Sequence, residues 1–266
     1  MKQFFSPKNR ALLAELVRTD FKLRYQGSVL GYTWSLLRPL LLFLILYVVF
    51  VKFLRIGGGI PHYPIYLLLG IVLWNFFAEM TSQSLSSIVA RGDLVRKIRI
   101  PRWIIVVSSS LSSLINLFLN LAIVVVFMFI NRVDLLATSL WFPLILVQVY
   151  IFALGLSLLL AAAFVKYRDM SYIWEVCLQA GFYLTPIIYP ISLITNQSFQ
   201  KLLLVNPMAT AIQDARNALV TNQTVTLPKV TDNIFLVLLP YIISIVVLVV
   251  GILYFKRQAK YFAEDL

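Results

Sequence analysis

The sequence predicts an all-α integral membrane protein. It should have six transmembrane helices, an N-terminal amphipathic interface helix, re-entrant helices on the outer side between spans five and six, and both termini in the cytoplasm. Three observations predict this. Of 266 residues, 61% are hydrophobic and 13% charged, and mean hydropathy is +0.88. Soluble domains are roughly 45–50% apolar and about 25% charged, so a soluble fold would lack the charges to cover its surface. The apolar residues fall into runs that match the roughly 20 helical residues needed to cross a hydrocarbon core of about 30 Å. The lysines and arginines are concentrated between those runs on one side. Residues 1–266 read as a single transmembrane domain.

Residues 8–32 precede the first apolar run, and no stretch resembles a cleavable signal peptide. Leu13, Val17, Phe21 and Tyr25 recur at i+4 with Leu12 and Leu16 beside them, while Arg18 and Lys22 stack on another face. Such a helix lies in the inner headgroup layer with its basic face toward anionic lipid. It reads equally well as a plain anchor or as a docking element for a cytoplasmic partner. Gly27 and Gly31 fall where this helix must turn into the membrane, which suits a hinge better than a helix-packing seam.

The spans run over residues 33–54, 63–90, 103–130, 140–165, 172–194 and 234–255. The first is centred on the uninterrupted run Leu40–Val51. The second is apolar to Phe77 and then rich in serine, and the fifth is interrupted by Gly181, Pro186 and Pro190. Six spans place both termini on one side. That side holds 17 of the 23 basic residues against six acids, and the remainder of the chain holds six against five. The positive-inside rule then puts both termini in the cytoplasm. The net charge of +12 is thereby an orientation signal, and nucleic acid is not needed to explain it.

Between spans two and three, residues 91–103 form a short basic loop punctuated by Gly92 and Pro101. Leu94, Val95 and Ile98 on one side of a compact helix there could plug into a partner's groove, or the loop could simply be solvated. Lys166, Tyr167, Arg168 and Asp169 form a second such turn. On the far side, residues 195–233 contain a helix start at Asn206-Pro207, an N-cap followed by proline at the first helical position. Met208, Ile212, Ala215 and Leu219 then share a face, as in a short helix dipping into the outer leaflet. Two N-glycosylation patterns, at Asn196 and Asn222, are of a kind common by chance.

Catalysis finds little support. No phosphate-binding glycine loop occurs, the 11 acids are scattered, and His62 is the single histidine. The serines from Ser108 to Ser113 have no histidine base and suit close helix packing. Cys177, alone, cannot form an internal disulfide. No catalytic residue and no metal site is expected. Glu79 and Glu175 lie within spans, where a carboxylate is a functional candidate by default. They read as structural pairs or as groups facing an aqueous cavity. Aromatic clusters occur at Phe43, Tyr47 and Phe50, at Trp74, Phe76 and Phe77, and at Phe182, Tyr183 and Tyr189. They suit either a conduit wall offering flat rings to sugars or interfacial belts.

Taken together, the chain resembles the permease subunits of type-2 ABC exporters, specifically the class that exports polysaccharides such as O-antigen, capsular glycan and teichoic acid. The resemblance is carried by Asp20-Phe21-Lys22-Leu23-Arg24-Tyr25 with Ser28, Leu30-Gly31, Trp34 and Pro39. It continues through Tyr66 to Gly70, Trp74 to Phe77, and Lys97 with Pro101-Arg102. It ends with Tyr167-Arg168-Asp169, Thr185-Pro186-Ile187-Ile188-Tyr189, and Asn206-Pro207-Met208 followed by Arg216. Where many relatives have an aromatic residue before the Pro-Arg pair, this chain has Ile100.

The resemblance implies a multi-pass protein of the bacterial plasma (inner) membrane that pairs with a second copy of itself. Each copy would sit on a separate ABC ATPase that binds ATP and magnesium, with no cofactor bound by this chain. The cargo implied is a lipid-linked glycan; the alternative is the same architecture exporting small hydrophobic molecules or lipids. Arg91, Gly92, Asp93, Arg96, Lys97, Pro101, Arg102, Arg168 and Asp169 would couple to the ATPase, and Arg18, Lys22, Arg24 and Tyr25 would mark the interface helix. Phe43, Tyr47, Phe50, Trp74, Phe77 and Tyr183 would line a conduit between protomers.

Overall fold

Helix α1 (Pro7–Tyr25) half-buries Leu12, Leu13, Leu16 and Val17 and leaves Arg10, Glu15, Arg18 and Lys22 exposed, the two-faced pattern its sequence predicts. The computed structural model describes residues 7–25, 31, 33–55, 59–97, 100–134 and 137–262. Every regular element among them is helical. The side chains of Phe21, Arg24, Tyr25 and Lys97, and residues Gly27 and Ile98, lie outside what is described. Gly31 has a φ of +49°, a left-handed conformation that glycine adopts without penalty, at the predicted bend into the membrane.

Five helices among the described residues are long and apolar enough to cross a bilayer. The first is α2 (Thr33–Leu46), continued by π-helical turns over Tyr47–Phe53. Next come α3 (Tyr63–Ala90) and, after the short α4 (Gly92–Lys97), α5 (Trp103–Ile130). A 3₁₀ turn over Ala137–Trp141 leads into α6 (Phe142–Lys166). These positions agree with the apolar runs. The last long helix, α11 (Ile234–Gln258), extends three residues past the predicted end, with Lys256 and Arg257 in its final turn.

The fifth predicted span differs. In place of a helix over 172–194, α7 (Met170–Leu184) has 15 residues, about 22 Å at 1.5 Å per residue. Proline explains the stop. The residue before Pro186 is pushed out of the helical region, and Thr185 sits at φ −83°, ψ 133°. The chain runs on in irregular form through Pro190 to a 3₁₀ turn at Ile191–Leu193. Three short helices follow: α8 (Gln197–Leu204), α9 (Pro207–Leu219) and α10 (Leu227–Val230). Asn206 caps α9 as predicted, its side chain accepting from the Met208 amide at 3.0 Å. Asn196 caps α8 in the same way through Ser198 at 2.9 Å, which explains that asparagine without a glycan.

Helix α3 is the buried axis, in contact with α2, α5, α6, α7 and α9. It is the least apolar of the five long helices and the most buried, whereas α11 is the most apolar and largely exposed. A helix facing protein can carry polar side chains that find partners, but one facing lipid cannot. At one end, the end of α3, α4, the start of α5 and the last turns of α6 and α11 gather around Val95, Val106, Val165, Phe255 and Phe262, and α1 lies against α5. At the other end, α8, α10 and the start of α11 gather around Ile191, Leu204 and Leu227. The first is called the basic end below and the second the loop end.

Candidate functional site

Three helices within the apolar body carry polar residues one helical turn apart. They are Asn75, Glu79 and Gln83 on α3, Asn116 and Asn120 on α5, and Glu175 and Gln179 on α7. Side chains at i and i+4 share a helix face, and these faces converge on a cavity of about 800 Å³. Helix α2 closes it with Trp34, Ser35, Arg38 and Leu42, and Trp74, Phe182 and Tyr183 supply aromatic faces. Glu79 lies about 24 Å along α3 from Tyr63 and about 16 Å from Ala90 at 1.5 Å per residue, toward the basic end.

The wall is tied by hydrogen bonds. Asn116 Nδ2 donates to Glu79 Oε1 at 2.7 Å and Gln83 Nε2 donates to the same oxygen at 3.2 Å. Ser113 in turn donates to Gln83 Oε1 at 3.3 Å, and Asn120 Nδ2 donates to the Ser35 carbonyl, joining α5 to α2. Helix α7 is held to α3 by Trp174 Nε1 donating to Thr81 at 3.0 Å and by the Trp74–Phe182 ring pair at 6.1 Å. Glu79 and Glu175 therefore both face this cavity. Asn75, Gln83, Asn116, Asn120 and Gln179 were missed in reading the sequence. The signal that could have found them is the i, i+4 recurrence of amides inside apolar runs.

The predicted aromatic lining divides. Trp74 and Tyr183 border the cavity. Phe77 is enclosed between Phe152 and Trp174. Phe43 is buried against Phe127, with Tyr47 beside it at 5.8 Å. Phe50 and Tyr47 belong to the π-helical turns, which break the regular 3.6-residue face expected for Phe43, Tyr47 and Phe50. None of these three borders the cavity.

Toward the loop end, the break after α7 is held by a polar clamp. Arg216 on α9 is fully buried. Its Nε donates to the Tyr66 carbonyl at 2.9 Å and its terminal nitrogens to the carbonyls of Pro186 and Ile187 at 2.7 and 2.6 Å. Gln213 donates to Pro186, and the Tyr63 hydroxyl to Ile188. The Tyr66 hydroxyl donates to Gln213 at 3.0 Å, and the guanidinium lies 3.7 Å from the Tyr66 ring centroid. Carbonyls released by the two prolines would otherwise be buried without donors. A Cβ on Gly70 would lie 3.1 Å from Arg216 Cζ, so this glycine makes room for the guanidinium.

Nearby, burial pushes the Asp214 carboxyl up to about 6, despite the Tyr241 hydroxyl donating to it and the charge of Lys229. A carboxyl raised in the folded state stabilises below its unfolded value, and that contribution is lost as pH rises from about 4 to about 6. The thermal midpoint of Asp214→Asn is accordingly expected to match wild type near pH 4 and exceed it by a growing margin toward pH 7. A margin that does not change with pH would refute this.

At the basic end, Arg91 is turned inward. It forms an ion pair with Asp20 on α1 and donates to Ser108 on α5 at 3.1 Å, and burial pushes its guanidinium below the ordinary value. Val95 is also buried, in the protein's own cluster, so it is not free to enter a partner's groove. Arg102 and Pro101 are half-buried, with Arg102 over the Phe262 ring at 6.0 Å. Asp93, Arg96, Arg168 and Asp169 are exposed, and Gly92 is half-buried. Because Arg91 connects α1 to α3 and α5, Arg91→Met is expected to raise hydrogen exchange of the α1 amides about tenfold, the loss of about 1.4 kcal/mol. Unchanged α1 protection would remove the pair from that role.

An apolar body of long helices with a polar, aromatic-walled cavity and a buried break in one helix defines a multi-pass membrane transporter subunit. Comparison with known proteins agrees: the ABC-2 type transporter family matches residues 11–220, and the chain belongs to that family. Two relatives from Klebsiella pneumoniae, each named O-antigen export system permease protein RfbA, are 30% and 28% identical, both over 96% of this chain and 95% of their own length. A protein of the same name from Myxococcus xanthus is 32% identical over 75% of this chain and 76% of its own.

Proposed function

We propose that the chain is the permease subunit of an ATP-driven exporter that moves a lipid-linked O-antigen-type polysaccharide outward across the bacterial plasma membrane. The observation that carries this is the likeness over 96% of the chain to permeases named for O-antigen export. The cavity adds support: amide and carboxylate side chains beside aromatic rings suit the hydroxyls and C–H faces of sugars. A small hydrophobic cargo would gain nothing from those polar groups.

In this reading the basic end lies in the cytoplasm, as the distribution of lysine and arginine favours. Helix α7 and the segment to Ile191–Leu193 make the fifth of six crossings, and α9 is re-entrant from the outer side. A separate ABC ATPase binds ATP and magnesium. It meets Asp93, Arg96, Lys97, Arg168 and Asp169, with Gly92, Pro101 and Arg102 shaping the loop, and Arg91 passes its movement to α1. Arg18, Lys22, Arg24 and Tyr25 hold α1 at the lipid surface. A second copy covers α7, which buries no residue within one protomer, and the cavity becomes one side of a conduit between the two. Depletion of the protein is expected to leave lipid-linked glycan in the cytoplasmic leaflet, read by leaflet-specific labelling of extracted lipids. Depletion with no glycan accumulating would overturn the proposal.

A further inference from the structure

Arg38 comes early in the chain, yet it does not sit at the basic end. Helix α2 runs alongside α5 in the same direction, since Ser35 meets Asn120 and Phe43 meets Phe127. Asn120 lies about 26 Å along α5 from Trp103 and about 15 Å from Ile130 at 1.5 Å per residue. Arg38, just beyond Ser35, is therefore inside the span and roughly 10 Å closer to the loop end than Glu79, which is bonded to Asn116. The bond from Trp174 to Thr81 puts Glu175 at about the level of Glu79. The Arg38 side chain is exposed and borders the cavity, and among the described residues it has no ion pair or hydrogen bond. An arginine at that depth is costly unless water or an anion meets it.

The face of α2 that carries Arg38 also carries Trp34 one turn before it and Leu41 and Ile45 after it. These three are 46%, 48% and 58% exposed. Trp34 borders the cavity, and Leu41 and Ile45 do not. The guanidinium thus stands where a polar cavity meets an aliphatic stripe left open within the protomer.

We infer that Arg38 and this stripe bind an amphiphile whose head is a phosphate ester. The guanidinium holds the phosphate at the cavity wall, and Leu41 and Ile45 hold the start of the hydrocarbon chain. The inference rests on the lipid-linked part of the export reading and names the group by which the cargo is held. A guanidinium offers a planar fork of N–H donors that matches two phosphate oxygens and stays charged at any working pH. A neutral sugar brings no anion to it, and free phosphate gains nothing from Leu41 and Ile45. A phosphate ester joining an aliphatic carrier to a sugar supplies both contacts. The attached sugars then extend from Arg38 into the cavity lined by amides and aromatic rings.

The test uses the chain assembled with its ATPase in nanodiscs of phosphatidylcholine, a lipid without net charge. Radiolabelled farnesyl diphosphate is the probe, with binding to empty nanodiscs subtracted and with inorganic pyrophosphate and farnesol as competitors. Wild type is expected to bind the probe at least about tenfold more tightly than either competitor. Arg38→Gln should weaken the probe about tenfold, and Arg38→Lys should weaken it less. Leu41→Asn should weaken the probe and leave the inhibition constant of pyrophosphate unchanged. The thermal midpoint of Arg38→Gln should match wild type, because the side chain has no partner to lose. Probe affinity indifferent to Arg38→Gln overturns the inference. So does pyrophosphate that binds as tightly as the probe, which makes the site one for free phosphate. Separation of the two copies by Arg38→Gln with probe affinity kept also overturns it, because the stripe is then an interface. Glycan stranded on depletion, with a probe indifferent to Arg38, removes this site alone. An Arg38-dependent probe with no stranded glycan removes the glycan cargo and upholds the phosphate-headed ligand.

Discussion

Replacing Arg216 by methionine is expected to cost about 3–5 kcal/mol, because three carbonyls lose a charged donor inside the protein and none has water to turn to. In a protein of this size that is a fall on the order of 10 °C in thermal midpoint. The effect should be local in origin. Residues 185–190 should become accessible to hydrogen exchange before the long helices do, because Arg216 and Gln213 on α9 and Tyr63 on α3 are what hold that segment. Arg216→Lys should fall between wild type and methionine: an ammonium keeps the charge but cannot reach the carbonyls of Tyr66, Pro186 and Ile187 with one fixed fork. Tyr66→Phe removes only the bond to Gln213 and should cost about 1 kcal/mol. If Arg216→Met melts with wild type, the clamp does not hold the break.

The second large effect belongs to the contact between α6 and α11. A Cβ on Gly155 would lie 2.6 Å from the Leu248 nitrogen and 2.7 Å from Leu248 Cα, and one on Gly251 would overlap the Gly155 carbonyl. These obstacles are backbone, so no rotamer change relieves them. Lipid is as apolar as leucine, so association of these helices depends on close packing and not on escape from water. Gly155→Ala and Gly251→Ala are each expected to destabilise by about 1–3 kcal/mol, and leucine at either position should abolish the folded protein. The double alanine variant should cost less than the sum, because helices already forced apart by one methyl accept the second. Strict additivity in thermal midpoint would count against this contact.

Much of this was legible beforehand. Apolar runs located α2, α3, α5, α6 and α11, because a bilayer imposes both length and composition on any helix that crosses it. Asn206-Pro207 marked the start of α9 because capping is local chemistry. Pro186 and Pro190 were read as interruptions, but the extent of the break was not. Whether a proline kinks a helix or ends it depends on whether donors exist for the released carbonyls. Those donors come from Arg216, about 30 residues on, and from Tyr63, more than 100 residues back.

The candidate site shows the same division. Glu79 and Glu175 stood out because carboxylates are rare in spans, and both face the cavity. Asn116 and Gln83, which hold Glu79, did not stand out, since an amide in an apolar run is unremarkable until its partner is known. Arg91 was read only as part of a basic loop that would couple to a partner, and its pairing with Asp20 on α1 was not visible in the sequence. Phe43 was read as lining, yet Phe127 covers it.

By itself, then, the sequence determined the membrane class, the places of the five long helices, the cap of α9 and the concentration of basic charge at one end. Each follows from a solvent or a local bond that acts on residues close together in the chain. Only the tertiary structure decided which polar side chains share a cavity, how the broken helix keeps its hydrogen bonds, and which glycines let helices touch. Those outcomes depend on groups distant in the chain meeting where there is no water to substitute for either partner.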